Sequence, residues 1–223
     1  MRRQLFLQGL GKCLAGLLLM ALLLFLPAGT LHYAEGWLLL ALLFIPMIAA
    51  GVVLLFRSPE LLKKRLNAKE SEAEQRKVIG LSGLLFTAAF VLAGLNHRFG
   101  WIVTPRWIIG CASVVFLLAY ALYAEVLREN VWLSRTVEVQ EGQRVVDTGL
   151  YGLVRHPMYA ATLLLFLSMP LILGSPLSFC LLLLYLPVLV KRIRNEEAVL
   201  EAGLAGYKAY KARVKYRLFP GIW

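Results

Sequence analysis

Long apolar runs broken by short polar stretches set the pattern of this chain. Residues 9–33, 37–56, 79–95 and 107–127 are four such runs. Two shorter ones, 159–173 and 177–190, are split by Gly174-Ser175-Pro176. An apolar run of about 18 residues or more is long enough to cross a bilayer core as a helix. The pattern predicts an all-α, polytopic membrane helix bundle of five to six transmembrane helices, the last two forming a hairpin. The basic start Met1-Arg2-Arg3 resembles the opening of a signal peptide. The run behind it is too long for that, no small-residue cleavage site follows closely, and more spans come after it. It therefore reads as the first span.

The polar stretches give the connections. A short turn around Ala34-Glu35-Gly36 joins the first two spans. Residues 57–77 open with Ser58-Pro59-Glu60, a cap, a proline at the first helical position and an acid. They predict a short surface helix followed by a linker. Residues 96–106 connect spans three and four. Residues 129–156 are the most polar stretch between spans, and Val137-Glu138-Val139 and Arg144-Val145-Val146 flank a turn that makes either a small hairpin or a loop. Beyond Val190 the chain stays compatible with helix to about Arg217. Tyr207, Tyr210 and Tyr216 among lysines and arginines suit an interfacial amphipathic helix. Two regions result: 1–128, the N-terminal spans with their connector, and 129–223, which holds the chemistry.

Charge settles the orientation. The net charge is +11, a value that by itself admits nucleic acid. Its distribution says otherwise. With the N-terminus inside and the spans threaded in order, every Lys and Arg except Arg98 and Arg106 falls on the inner side, Lys69 and Arg135 included. That is the positive-inside pattern, and it accounts for the basic excess through topology and attraction to anionic lipid heads. Both termini are expected in the cytoplasm. Cys13, Cys111 and Cys180 lie in apolar runs with no metal-ligand or redox spacing.

One stretch has the look of a site: Asp147-Thr148-Gly149-Leu150-Tyr151-Gly152-Leu153-Val154-Arg155-His156-Pro157-Met158-Tyr159. Pro157 marks the first turn of the next span. Arg155 and His156 then sit at a helix N-terminus, where free N–H groups and the dipole favour an anion. Arg155 adds a bidentate partner for carboxylate or phosphate. From His156 to the glycine turn the helix rises about 27 Å, and from Pro176 to Glu196 it returns about 30 Å. The legs nearly match, although Pro170 and Pro187 should kink them. The hairpin thus brings Glu196-Glu197 level with Arg155-His156. Singly, each residue has a plainer role: an inner anchor, an aromatic-belt tyrosine, a solvated glutamate pairing with Arg192 or Arg194. Their convergence is what points to a site.

The motif Gly149-Leu150-Tyr151, Arg155-His156-Pro157-Met158-Tyr159, the later Glu196-Glu197, and then Tyr207 and Tyr210 resemble the isoprenylcysteine carboxyl methyltransferase and phospholipid methyltransferase superfamily. The neighbourhoods of Asn130 and Gln143 also look similar, so the likeness covers about 130–220. The resemblance implies an integral membrane methyltransferase using S-adenosylmethionine. It implies a cofactor pocket from Arg155, His156, Tyr159, Glu196 and Glu197, with Tyr207 and Tyr210 on a helix closing over it. Arg155 and His156 are the candidate catalytic residues.

The residue chemistry is compatible with that implication. A helix N-terminus with Arg155 suits a carboxylate, and Glu196 or Glu197 suits an ammonium or ribose hydroxyls. Methyl transfer from a sulfonium needs alignment and exclusion of water rather than a covalent nucleophile. A carboxylate acceptor needs no base, whereas an amine must first lose a proton, to His156 or a glutamate. Membrane embedding suggests a lipophilic, lipid-like acceptor. Three readings stand: methylation of a lipophilic carboxylate in the cytoplasmic membrane of a bacterium, N-methylation of a phospholipid amine, and a non-enzymatic membrane protein. Transport is disfavoured, because the ionisable residue nearest a span centre is Glu125, close to a span end.

Overall fold

A computed structural model describes residues 2–66, 73–134 and 136–223. The linker half of the 57–77 connector, with Lys69, and Arg135 lie outside the described residues. Among the described residues ten helices follow in order: α1 (Arg2–Ala28), α2 (Ala34–Arg57), α3 (Pro59–Leu66), α4 (Ala73–Phe99), α5 (Arg106–Glu129), α6 (Gly149–Leu153), α7 (Pro157–Ile172), α8 (Pro176–Leu182), α9 (Tyr185–Gly203) and α10 (Tyr207–Arg213). No strand occurs among the described residues. The 137–146 stretch is accordingly a loop, turned where Gln143 N donates to Gln140 O.

Helices α1, α2, α4, α5 and the α8–α9 pair are long and apolar enough to cross a membrane. Their outward faces carry large exposed apolar side chains such as Leu18, Ile45, Phe56 and Leu118. Such a surface belongs against lipid, not water. The chain is an integral membrane protein.

Helix α7 differs from the rest. It has 16 residues, about 24 Å, and most of its side chains are buried. A helix that is apolar all round belongs inside a bundle. It packs chiefly against α5 and also touches α2, α4 and α8. Its C-terminal end is fixed by polar bonds at the turn that follows it. Tyr33 Oη donates to Leu173 O at 2.6 Å, and Asn96 Nδ2 donates to Gly174 O at 3.2 Å. Gly174 has φ +67°, a left-handed conformation that glycine adopts without penalty. The expected hairpin is therefore α7 running one way and α8–α9 returning.

Pro187 shapes the return leg. It has no N–H and its ring collides with the carbonyl four residues earlier, at Leu183. The helix breaks there, at Leu183-Leu184, and resumes as α9. Two sequence expectations change. The connector helix α3 is not a free surface helix: Leu61 and Leu62 are buried, and Leu5, Leu55 and Leu62 form a small cluster between it, α1 and α2. The C-terminal helix is not continuous to Arg217. It stops at Gly203, and Gly206, with φ +83°, turns the chain into the separate α10. There Tyr207 and Tyr210 are buried against Val139, Val145 and Leu200 rather than spread along an interface.

Helices α1 and α4 approach closely at Gly94. A methyl group there would lie 2.5 Å from Leu24 O and 3.0 Å from Pro27 Cβ. Overpacking against backbone costs about 1–3 kcal/mol. Gly94→Val should lower the unfolding temperature of the detergent-purified protein by roughly 5 °C. Gly80→Ala, on the same helix with open space around it, should leave it unchanged. Equal temperatures for the two variants would mean α1 and α4 do not pack through Gly94.

Candidate functional site

Two short elements bring the side chains of the sequence motif into place. Glu129, at the end of α5, accepts from Leu150 N at 2.9 Å and so holds the start of α6. Gly149, with φ +52°, lies so close that a methyl there would overlap the Glu129 carboxylate. Asn130 Nδ2 donates to Tyr151 Oη at 2.9 Å. The chain then leaves α6 extended through Val154 to His156, the residue preceding α7. Across this stretch Arg155 N donates to Tyr216 O and His156 N to Arg217 O, both at 2.9 Å. The C-terminal segment is thereby laid along the motif.

Arg155 and Glu197 meet, as the leg lengths of the hairpin implied. Arg155 Nε donates to Glu197 Oε1 at 2.7 Å. Both side chains are almost fully buried, at 3% and 4% exposed, so this is an ion pair removed from solvent. Arg155 Nη1 also donates to Val214 O at 2.7 Å and Lys215 O at 2.8 Å. Glu197 has further partners: His156 Nε2 lies 3.3 Å from Oε1, and the cationic Arg217 Nε and Lys211 Nζ lie 3.1 Å and 3.9 Å from Oε2. Arg155, matched from sequence to the cofactor carboxylate, and Glu197, one of two candidates for its ammonium or ribose hydroxyls, are thus bonded to each other.

Glu196 has a different environment. It is half-buried and lines a cleft bounded by α7, α9, α10 and the 130–146 loop. Tyr159 Oη donates to Glu196 Oε2 and accepts from Arg192 Nε at 2.9 Å. Arg192 in turn donates from Nη1 to Gln75 Oε1, at 3.3 Å, and Gln75 Nε2 donates back to Arg192 O, also at 3.3 Å. A chain of polar contacts therefore runs from α4 through α9 and α7 to the cleft wall.

Tyr207 and Tyr210 both face the cleft. Tyr210 Oη donates to Tyr151 O at 2.8 Å, fastening α10 over α6. The Tyr207 hydroxyl is buried and has no hydrogen-bond partner among the described residues. Burial, then the charges of Glu197 and Glu196, push its pKa far up. It stays protonated at physiological pH and serves as a neutral donor or acceptor. A buried hydroxyl left without a partner carries a desolvation penalty, which a ligand in the cleft would remove.

All seven residues singled out from the sequence fall in this one region. Those not assigned to the site from the sequence are Arg192, Gln75, Lys211 and Arg217, whereas Tyr151 stood in the motif itself. Arg192 stands one helical turn before Glu196, so its place on the same face was readable. Gln75 comes from α4 and Arg217 from beyond α10, and no spacing rule connects either to the hairpin.

Removing one partner of a buried ion pair strands the other and costs about 3–5 kcal/mol. Glu197→Ala should therefore unfold at a markedly lower temperature than the parent in the same detergent. Glu196→Ala, whose site is half-buried, should lose much less. A Glu197→Ala variant as stable as Glu196→Ala would show that the ion pair does not hold the hairpin.

The comparisons with known proteins fall on the same region. Residues 108–202 match the model of the isoprenylcysteine carboxyl methyltransferase (ICMT) family. The uncharacterized protein YpbQ of Bacillus subtilis (strain 168) is 25% identical over 166 residues, 74% of this chain and 96% of that protein. The Delta(14)-sterol reductase TM7SF2 of Mus musculus is 31% identical over 91 residues, 40% of this chain but only 22% of that protein. The family match begins earlier than the sequence motif, inside α5, and ends in α9 before Tyr207 and Tyr210. The similarity to the isoprenylcysteine carboxyl methyltransferase family therefore covers the segment from within α5 to within α9, which supplies most of the hairpin and the cleft.

Proposed function

We propose that the protein is an S-adenosylmethionine-dependent methyltransferase of a bacterial cytoplasmic membrane. Its acceptor is a lipophilic carboxylate, and its cleft opens to the cytoplasm. The observation that carries this reading is the family match over the segment that builds the cleft. The donor set fits the cofactor. Glu196 offers a carboxylate to an ammonium or to ribose hydroxyls. Tyr207 offers a buried, unpaired hydroxyl. Gln143 and Arg144 line the opposite wall and suit the cofactor carboxylate. Arg155 and Glu197 act here mainly as the clamp that sets the cleft's floor, and His156 and Tyr159 line it beside them.

When bound, the cofactor supplies a methyl group already activated on sulfonium. The protein's tasks are then to orient that methyl, admit the acceptor from the bilayer and exclude water. A carboxylate acceptor is anionic at neutral pH and attacks without a base. A phospholipid amine would need one, and His156, hydrogen-bonded to Glu197, is the nearest imidazole to the cleft. N-methylation is thus the variant of the same reading that asks more of His156.

The sterol reductase relative supports a second reading. There the same cleft would serve the reduction of a sterol-like lipid, a reaction that needs a reductant, for which NADPH is the general hydride donor to test.

Calorimetric titration of the detergent-purified protein with S-adenosylmethionine and, separately, with NADPH distinguishes the readings. Binding of the first alone is expected. Glu196→Ala and Tyr207→Phe should each weaken it by roughly tenfold or more, since each removes a hydrogen bond worth about 1–3 kcal/mol. Binding of NADPH alone would replace the methyltransferase reading with the reductive one. No binding of either would sink both. With radiolabelled cofactor and membrane lipid extract, label released by mild base identifies an ester and so a carboxylate acceptor. Label retained identifies a methylamine.

A further inference from the structure

A second concave surface lies on the outside of the bundle, between α4 and the α8–α9 leg. Its walls are Val78, Leu81 and Leu85 from α4, and Leu184, Pro187 and Val188 from the return leg. Lys77 and Lys191 stand at one end. The groove lies where the return leg changes from α8 to α9, at the Leu183-Leu184 break that precedes Pro187. Leu81 and Leu184 are about half exposed, so their apolar surface is not covered by this chain.

The position of the lysines is decisive. Both are exposed and lie at the charged end of the two helices, with Arg76 and Arg194 nearby and also exposed. Below them the walls are wholly hydrocarbon over about two helical turns of α4, Lys77 to Leu85. A groove that is cationic at the headgroup end and apolar along its length is complementary to an anionic amphiphile, with its phosphate at Lys77 and Lys191 and an acyl chain along Leu81, Leu85 and Val188.

We propose that this groove binds an anionic phospholipid of the leaflet that meets the charged end of the bundle. The site is separate from the cleft and does not depend on the methyltransferase reading. It shares one seam with it. Gln75 and Arg192, which link α4 to α9 through mutual hydrogen bonds, sit between the groove and the Tyr159–Glu196 contact. A lipid seated in the groove braces the helix pair that carries this link.

Native mass spectrometry of the full-length protein tests the site. The protein is released from detergent in the presence of equal amounts of phosphatidylglycerol and phosphatidylcholine with matched chains. The parent should retain phosphatidylglycerol preferentially. Lys77→Gln with Lys191→Gln should reduce that preference by roughly thirtyfold, at about 1 kcal/mol for each lysine. The matched control, Arg57→Gln with Lys63→Gln, changes two exposed cations at the same end of the bundle but away from the groove, and should keep it. Leu184→Trp, which fills the groove at an exposed position, should reduce retention of both lipids. The proposal is overturned if the parent shows no preference, if the two double variants lose it equally, or if the tryptophan leaves lipid retention unchanged.

Discussion

A single buried contact, Arg155 with Glu197, organises the inner end of this protein. Neither charge can stay buried alone, since an isolated ion in a low-dielectric interior is far too costly. Each therefore recruits further partners. Glu197 gathers His156, Arg217 and, at longer range, Lys211. Arg155 gathers the carbonyls of Val214 and Lys215. The outcome is that α7, α9 and the segment after α10 meet at one point. Everything that lines the cleft hangs from that junction: the loop through Asn130, the helix α6 through Tyr151, and α10 through Tyr210.

The division of labour between the two adjacent glutamates follows from helix geometry. Successive residues on a helix point about 100° apart, so one of the pair can face inward while its neighbour faces the cleft. Glu197 turns to the cations and is consumed by structure. Glu196 turns to the cleft, where the Tyr159 phenol, itself held by Arg192, orients it. A paired carboxylate motif thus supplies one clamp and one recognition group, and Tyr207 adds the second recognition group from α10.

Much of this was legible in the amino-acid order because it depends on length and period. Apolar runs gave the spans, and the matched legs on either side of Gly174-Ser175-Pro176 placed Glu196-Glu197 opposite Arg155-His156. The break at Leu183-Leu184 did not disturb the match, because the return leg remained a nearly continuous rise. What stayed hidden depends on partners far apart in the chain. Helix α3 looked polar because its lysines and arginine dominate its eight residues, yet two adjacent leucines dock it under α1 and α2. Gly206 looked like an ordinary small residue in a helical stretch, and only its positive φ shows that the chain turns there. Gln75 and Arg217 carried no local signal at all.

The pairing of Arg155 and His156 with Tyr216 and Arg217 through main-chain bonds has a bearing on how the molecule is made. Spans enter the bilayer one after another as the chain emerges, and each is stable there by its own apolar length. The cleft follows another schedule. Its motif, at 149–159, leaves the ribosome some sixty residues ahead of the strand-like segment that must lie against it. Until that segment arrives, the guanidinium has Glu197 alone, the two main-chain N–H groups have no seats, and the polar end of α7 stays open. Insertion and maturation are therefore separate events in this chain. A product cut short after α9 would sit correctly in the membrane, pass as folded by any measure of topology, and still lack a formed pocket.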